Sequence, residues 1–262
     1  ALALYGDLDV STIDEMPPGR RPASTAHVSE ARAFETVRRE AAAGRQSYVV
    51  YPIIEESASL DLKAAIAEHE RLRTQAFPGL RVGLVHGRMP GKKKVGVMEE
   101  FSKGLLDVLV ATPVIEVGVD VPNAAVMVVQ NADRFGLASL HQLRGRIGRG
   151  KDASFCCLVA SPNTDQARKR LSILCETSDG FRIGEEDLKI RGPGDALGTA
   201  QHGALTLKAA DLFKDADLLA AAKEDAEALL ASDPDLNRPE HHPLRERLAL
   251  QYQDRWHSID LA

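Results

Sequence analysis

The amino-acid sequence predicts an α/β protein in which helices cover both faces of a parallel sheet, followed by a small, mainly helical C-terminal appendage. Short runs rich in Val, Ile and Leu recur within residues 47–160, and stretches with helical periodicity separate them. Strands that are buried on both faces are apolar throughout and alternate with helices in this way. Beyond residue 162 these runs stop. We therefore expect two domains, residues 1–162 and residues 163–262.

The first elements of the chain are predicted to be a loop and a helix. Pro17, Pro18 and Pro22 disfavour a helix in the opening segment and indicate a connecting loop. That segment also starts without a cap or a first turn, so we expect the sequence to be a piece of a longer protein. A helix follows, with Ser29 as its N-cap and Gly44 at its end.

Five strands are predicted after this helix, at SYVVYPII, RVGLVHG, DVLVAT, AAVMVVQNA and ASFCCLVA. Helices are predicted between them at DLKAAIAEHERLRTQAF, GVMEEFSKG and SLHQLRGRIG. Ligands of open parallel sheets bind in the loops beyond the carboxyl ends of the strands. We expect the functional site in three segments that begin at such ends: HGRMPGKKK, ATPVIEVGVDVP and NADRFGLASLHQLRGRIGRG.

The appendage is predicted to contain three helices and a glycine-rich loop. The helices are expected at DQARKRLSILCETSDG, ADLFKDADLLAAAKEDAEALLASDP and HHPLRERLALQYQDRW, and the loop at EEDLKIRGPGDALGTAQHG. Asp233 and Pro234 are expected to end the second of these helices.

Composition limits the function classes that fit this chain. Its formal net charge is −5, so contacts with nucleic acid must come from local basic patches. No apolar run approaches the roughly 20 residues of a membrane span, and no signal-peptide pattern opens the sequence. The three cysteines have no metal-ligand spacing. We expect the adjacent Cys156 and Cys157 to pack inside a strand, no metal site, and a cytoplasmic protein.

The segment LHQLRGRIGRG, residues 140–150, carries the strongest functional signal. If the predicted helix continues through it, Arg146 and Arg149 lie on neighbouring turns and can converge on one ligand. A guanidinium matches phosphate oxygens with two parallel hydrogen bonds and never loses its charge. Gly145 and Gly148 each cost a helix about 1 kcal/mol, which favours a close partner over a solvated helix. A polyphosphate whose charge grows in a transition state fits these arginines.

The segment ATPVIEVGVDVP has the layout of a second phosphate-binding element. Thr112 follows a buried strand, and Gly118 allows a backbone to approach phosphate closely at a helix N-terminus. Asp120 is placed to accept hydrogen bonds from a ribose hydroxyl. On its own the segment also fits an ordinary strand-to-helix turn capped by an aspartate, and its position before the arginines favours the phosphate interpretation.

These segments resemble the motifs of superfamily 2 helicases and translocases. QLRGRIGR resembles the sixth motif, ATPVIEVGVDVP the fifth, RQSYVVYPIIEES the fourth, and VGLVHGRM the element after it. LYGDLDVSTIDEMPPGR and DGFRIGEEDLKIRGPGDALGT are similar, more narrowly, to the RecG family of branched-DNA translocases. The resemblance implies a RecA-like second motor domain up to about residue 160. It implies that the appendage is the TRG element, which couples the motor to DNA movement in RecG and in the transcription-repair coupling factor Mfd.

The resemblance implies roles for residues around a nucleotide. Arg146 and Arg149 are expected to contact ATP phosphates across a cleft between two motor domains, with Gln142 beside the nucleotide. Gly118 and Asp120 are expected near the phosphates and the ribose. The ATP, with Mg²⁺, would be bound mainly by a first motor domain. This sequence has neither a G-x-x-x-x-G-K-[ST] phosphate loop nor an Asp-Glu box.

A second set of residues is implied to lie on DNA. Thr112 is expected near the DNA backbone, and His86, Gly87 and Arg88 on the DNA-facing edge. For His86, a strand-end histidine without a ligand is an equal alternative. The lysines at 92–94 fit either a phosphate contact or the solvated start of a helix.

Arg191 and Gln201 are expected to couple the motor to the TRG element. Where the family usually has Arg-Gln after Leu-Gly-Thr, this sequence has Ala200-Gln201. An arginine implicated in coupling is therefore missing. Either Arg191 or a neighbour replaces it, or coupling is weaker here.

Taken together, the resemblance implies the C-terminal motor half of an ATP-dependent DNA helicase that regresses forks and migrates Holliday junctions in DNA repair and recombination. Its expected partners are branched double-stranded DNA and the wedge and first motor domain of the same protein. Without them we expect the chain to hydrolyse no ATP. Two alternatives stay open: an Mfd-like translocase, and a non-catalytic module that binds DNA or protein through a motor-like fold.

Overall fold

A computed structural model of the chain describes residues 22–52, 58–112, 121–196 and 215–252. Within these ranges there are six strands and eight α-helices. The strands are β1 (Ser24–His27), β2 (Gln46–Val50), β3 (Val82–Val85), β4 (Val108–Ala111), β5 (Ala124–Gln130) and β6 (Phe155–Val159). The helices are α1 (Glu30–Ala42), α2 (Ala58–Arg71), α3 (Gly91–Ser102), α4 (Leu137–Arg144), α5 (Asp165–Glu176), α6 (Gly180–Ala196), α7 (Ala216–Ser232) and α8 (His242–Tyr252). None of the helices in these ranges has the length and apolar character needed to cross a membrane.

The strands form one sheet in the order β1-β6-β5-β2-β4-β3, and every pair is parallel. All strands therefore start at one edge and end at the other. We call the edge formed by the first residues of the strands the amino edge: Ser24, Gln46, Val82, Val108, Ala124 and Phe155. The opposite edge, formed by the last residues, is the carboxyl edge: His27, Val50, Val85, Ala111, Gln130 and Val159. Along β5, which has seven residues, the two edges lie about 20 Å apart.

Successive strand residues point into two separate cores, one on each face of the sheet. Tyr48 and Val50 pack with residues of α3, α4 and α5, whereas Val49 packs with residues of α1. All residues of β4 are buried, which explains its apolar sequence. Cys156 and Cys157 belong to opposite cores, and both are buried and free. The predicted sheet covered on both faces is confirmed.

Most predicted elements are present, and the exception among the strands has a local cause. Ser29 caps α1 as expected, since its Oγ accepts a hydrogen bond from the Arg32 N–H at 3.4 Å. Gly44 ends the helical segment with a φ of 78°. Strand β1 was not predicted, because its sequence Ser-Thr-Ala-His is mostly exposed at the sheet border and contains no apolar run.

Helix α6 contradicts the glycine-rich loop predicted from residue 185 onward. The side chain of Asp179 caps its start, with Oδ1 accepting hydrogen bonds from the N–H of Phe181 at 2.8 Å and of Arg182 at 3.4 Å. Ile183, in the first turn, is buried in the core. Capping and burial at the start offset the weak helix formers further along.

The described residues divide into two compact units, a larger one that ends at Gly192 and a smaller one from Pro193 onward. In the smaller unit, Asp233 ends α7 as predicted. Its carboxylate accepts hydrogen bonds from the N–H of Asn237 at 3.0 Å and of Arg238 at 2.9 Å, and lies 2.8 Å from Nδ1 of His241. The predicted domain boundary after residue 162 stays a prediction.

Candidate functional site

Helix α4 ends at Arg144, so the helix predicted through residue 148 is wrong beyond that point. Gly145 is its C-cap, and Gly148 has a φ of 71°, in the left-handed region that suits glycine and interrupts a helix. Arg146 and Arg149 therefore lie on a loop rather than on neighbouring helical turns.

We call residues 145–150 the arginine loop, and it lies at the amino edge. The N–H of Gly148 donates to the carbonyl of Ala124, the first residue of β5, at 3.4 Å. A Cβ on Gly150 would come within 2.7 Å of the Pro122 carbonyl oxygen, so the two backbones touch. The expectation of a site at the carboxyl ends is wrong for this segment. After β5 the chain returns through α4, and the end of α4 therefore meets the start of the strand.

The three arginines of this region have different surroundings. Arg144 is only 6% exposed and donates hydrogen bonds to backbone carbonyls. Arg146 is half-buried, and its side chain makes no hydrogen bond or ion pair with any other described residue. Arg149 is exposed, and its Nε donates a long 3.4 Å bond to the Gly145 carbonyl. Gln142 is exposed on α4.

Thr112 and His86 lie side by side at the carboxyl edge. They directly follow the paired residues Ala111 and Val85, and the Thr112 N–H donates to the Val85 carbonyl at 3.3 Å. Thr112 Oγ1 and His86 Nδ1 are buried but have no hydrogen-bond partner among the described residues. A buried polar atom without a partner costs about 1–3 kcal/mol. Two of them on neighbouring strand ends indicate a place for a polar ligand.

Positive charge surrounds this pair. Burial, and then the charges of Lys94, Lys93 and Arg88, lower the pKa of His86. Gly87 and Arg88 are exposed in the turn after β3. The lysines occupy the first turn of α3, which contains no acidic residue. Cations at a helix N-terminus are unfavourable unless an anion lies nearby, so the carboxyl edge suits an anionic ligand.

Several predicted site residues lie outside the described part of the chain. Gly118 and Asp120 fall in residues 113–120, and Ala200 and Gln201 in residues 197–214. Arg191 is part of α6, but its side chain is outside the described set. In the described ranges, no three His, Cys, Asp or Glu side chains come together as metal ligands.

The buried role of Arg144 was missed by sequence reasoning, which assigned a role only to Arg146 and Arg149. Its spacing offered a signal. Leu140 and Leu143 are buried residues of α4, and Arg144 lies four positions after the first of them. A residue at that spacing shares the inward face of the helix.

Comparison with known proteins defines the class. Residues 32–151 match the family described as helicase conserved C-terminal domain. Residues 177–259 match the family described as ATP-dependent DNA helicase RecG, domain 3, C-terminal. The chain therefore carries a helicase C-terminal domain.

The chain belongs, more narrowly, to the RecG family. It is 47% identical over 257 residues to the ATP-dependent DNA helicase RecG of Synechocystis sp., covering 97% of this chain and 31% of that protein. It is 50% identical over 232 residues to the RecG of Thermotoga maritima, covering 87% and 30%. The structure of RecG bound to a three-way DNA junction is similar, with a TM-score of 0.65 and 48% identity, covering 83% of this chain and 28% of that one. The chain thus spans about a third of the length of these relatives. These matches confirm the predicted family resemblance.

Proposed function

We propose that the chain is the C-terminal motor region of an ATP-dependent DNA helicase that acts on branched DNA. The observation that carries the proposal is the Arg146 side chain. It is half-buried on a loop fixed by backbone contacts, and no acidic residue in the described ranges neutralises it. An arginine held in this way is prepared for an external anion, and a phosphate matches its planar fork. The names of the RecG relatives support ATP and DNA as the ligands.

In this proposal Arg146 and Arg149 contact the phosphates of ATP, which is bound with Mg²⁺ mainly by another domain. The two arginines would contribute positive charge to the phosphates. Gln142, exposed near the end of α4, would lie beside the nucleotide. Gly118 and Asp120 would complete the site. Their proposed place is supported by Pro122, which follows them closely in the chain and touches the arginine loop.

The carboxyl edge is proposed to bind the DNA backbone. A phosphate oxygen there would supply the hydrogen-bond partner that Thr112 Oγ1 and His86 Nδ1 lack among the described residues. Arg88 adds positive charge, and Gly87 leaves room for a close approach. Branched DNA as the substrate is supported by the similar RecG structure, which holds a three-way junction. Stalled-fork regression and Holliday junction migration are the reactions we propose.

Arg191 and Gln201 are proposed to couple nucleotide hydrolysis to DNA movement through the appendage. Ala200 stands where the family usually has arginine, so Arg191 or a neighbouring cation would take over its contact. The Mfd-like alternative is not favoured, because the chain matches the C-terminal RecG domain family and RecG relatives.

The test is ATP hydrolysis by the full-length protein without DNA, on linear duplex and on forked DNA. We expect forks to stimulate hydrolysis most, and Arg146→Ala to lower kcat about 10³-fold while ATP still binds. Arg168→Ala is the control, because Arg168 is an exposed arginine on α5. Equal rates on linear and forked DNA would overturn the branched-DNA assignment. Absence of hydrolysis under all conditions would overturn the motor assignment.

A further inference from the structure

Arg144 is a buried arginine whose described hydrogen-bond partners are all neutral. Nη1 donates to the carbonyls of Leu174 at 2.9 Å and Thr177 at 2.8 Å, and Nη2 lies 2.9 Å from Nδ1 of His141. Among the described residues it pairs with no carboxylate. Burial lowers its pKa, since a desolvated cation among neutral groups is unfavourable. An apolar residue would satisfy packing alone, but it would make none of these hydrogen bonds.

The contacts of Arg144 join the base of the arginine loop to the junction between α5 and α6. Arg144 is the last residue of α4, and the arginine loop begins directly after it. Thr177 is the C-cap of α5. The ring of His141 packs against the first residue of α6, since a Cβ on Gly180 would lie 3.2 Å from Nε2. One guanidinium therefore fixes where the loop starts relative to two other helices.

We propose that Arg144 is a positioning residue for ATP hydrolysis, which anchors the arginine loop to the α5–α6 junction and thereby sets the direction of Arg146. This inference rests on the proposed function, because the loop needs a nucleotide to act on. A loop that is held loosely still reaches a bound phosphate, but it loses the alignment that the transition state requires. Arg144 therefore acts on kcat and leaves substrate binding unchanged.

His141 makes this anchor depend on pH. Its Nδ1 accepts the hydrogen bond from Arg144 only while it is unprotonated. Burial and the Arg144 charge lower the pKa of His141 from 6.5, and Asp179, in the turn before α6, opposes them. Cys156 and Cys175 face Arg144 from β6 and α5. The anchor is therefore complete at neutral pH, and it loses the Nη2–Nδ1 hydrogen bond as the pH falls through the lowered pKa of His141, while the two bonds to backbone carbonyls remain.

The experiment uses the full-length protein with Arg144→Met, which removes the charge and keeps much of the volume, and with Arg144→Lys. We expect Arg144→Met to lower the kcat of DNA-stimulated ATP hydrolysis about 10²-fold, with the KM for ATP and the Kd for DNA within about twofold of wild type. Arg144→Lys should lie in between, because a single ammonium cannot reproduce the planar fork. Should Arg144→Met fail to fold, Arg144→Lys carries the test.

Leu171→Ala is the matched control, because Leu171 is buried in the same core on α5 and is not one of the hydrogen-bond partners of Arg144. It should lower Tm without a comparable loss of kcat. If the Arg144 variants lose no more kcat than Leu171→Ala at a similar loss of Tm, the residue is merely structural and the inference fails. If wild type shows fork-stimulated hydrolysis while this happens, the proposed function stands and only the inference is overturned.

The second measurement is the pH profile of kcat. In His141→Asn the amide oxygen takes the place of Nδ1 as an acceptor but does not titrate. Wild-type kcat should fall on the acidic side, and the variant should retain its kcat there. Coinciding profiles would overturn the part of the inference that involves His141.

Discussion

The two edges of the sheet present polar groups in opposite ways. At the amino edge the backbone of the arginine loop is held by close contacts at Gly148 and Gly150, while the charged end of Arg146 has no partner in the described ranges. At the carboxyl edge two buried polar atoms without a partner, Thr112 Oγ1 and His86 Nδ1, follow the ends of neighbouring strands. The amino edge has buried hydroxyls of this kind at Ser47 and Ser154, but at the starts of strands that are not neighbours. One edge offers a fixed charge, and the other offers two unsatisfied hydrogen-bonding atoms on neighbouring strand ends.

This difference indicates a division of labour between the edges. A fixed charge is most useful where charge develops briefly, as in a transition state, because it needs no reorganisation. Short polar groups at strand ends recognise a ligand that is already charged and that must be released again. The distance of about 20 Å along β5 lets each edge be altered without touching the other.

The largest expected effect comes from a substitution at the amino edge, and it tests whether the two edges act separately. Arg146→Lys should lower the kcat of ATP hydrolysis about 10²–10³-fold, because an ammonium cannot make the two parallel hydrogen bonds of a guanidinium. The Kd for forked DNA should stay at the wild-type value. Both are measured on the full-length protein, with Arg168→Lys as the control. A parallel loss of DNA affinity would mean that the edges do not act separately.

A substitution at the carboxyl edge is expected to have a smaller effect, and to affect DNA binding. Thr112→Val keeps the shape of the side chain and removes a buried hydroxyl, so the free energy of unfolding should be unchanged or raised by about 1 kcal/mol. DNA binding should weaken about tenfold, because a hydrogen bond to a charged group is lost. Fluorescence anisotropy and thermal unfolding measure the two quantities. A clear loss of stability would show that the hydroxyl has a partner within the fold.

The pH dependence of DNA affinity tests the proposed role of His86 at the same edge. Burial and neighbouring cations lower the pKa of His86, so the ring is neutral at pH 7 in the free protein. A bound phosphate favours the protonated ring and raises that pKa. DNA affinity should therefore increase several-fold as the pH falls through the interval between the two pKa values. His86→Gln should lack this increase, and an equal pH dependence in both proteins would remove His86 from the DNA interface.

The smallest effect on ATP hydrolysis and DNA binding is expected from a substitution in the smaller unit, which serves as a control. Hydrogen bonds from Arg238 and His241 lower the pKa of Asp233 from 3.8 to about 2. The ionised Asp233 therefore stabilises the α7–α8 turn above pH 3.8, and this contribution is lost as the pH falls towards 2. Circular dichroism during an acid titration should show less change in Asp233→Asn, with kcat and DNA affinity at neutral pH unaltered. Altered kcat would connect the turn to the motor.

Features of the fold that depend on the local sequence could be predicted, whereas features that depend on the path of the chain could not. Strands β2, β4, β5 and β6 were predicted because burial on both faces leaves an apolar run. The partly buried β3 also keeps apolar residues, whereas the exposed β1 has no apolar run. The end of α4 was missed because the buried Ile147 continues the helical spacing after the chain has already turned at Gly145. The residue types of the proposed site predict phosphate ligands from the sequence alone, and this stays a prediction. The placement of these residues at two different edges could not be predicted from the sequence, because it depends on the direction of the connection between β5 and α4.

The adjacent cysteines of β6 can serve as probes of local unfolding. Burial raises the pKa of Cys156 to about 12 and also raises that of Cys157, so both thiols resist alkylation while their surroundings stay closed. Cys156 becomes reactive when the helical layer of α3, α4 and α5 detaches, and Cys157 when the layer of α1 does. Timed alkylation read by mass spectrometry would thus report on the two layers independently, through two consecutive native cysteines and without any introduced residue.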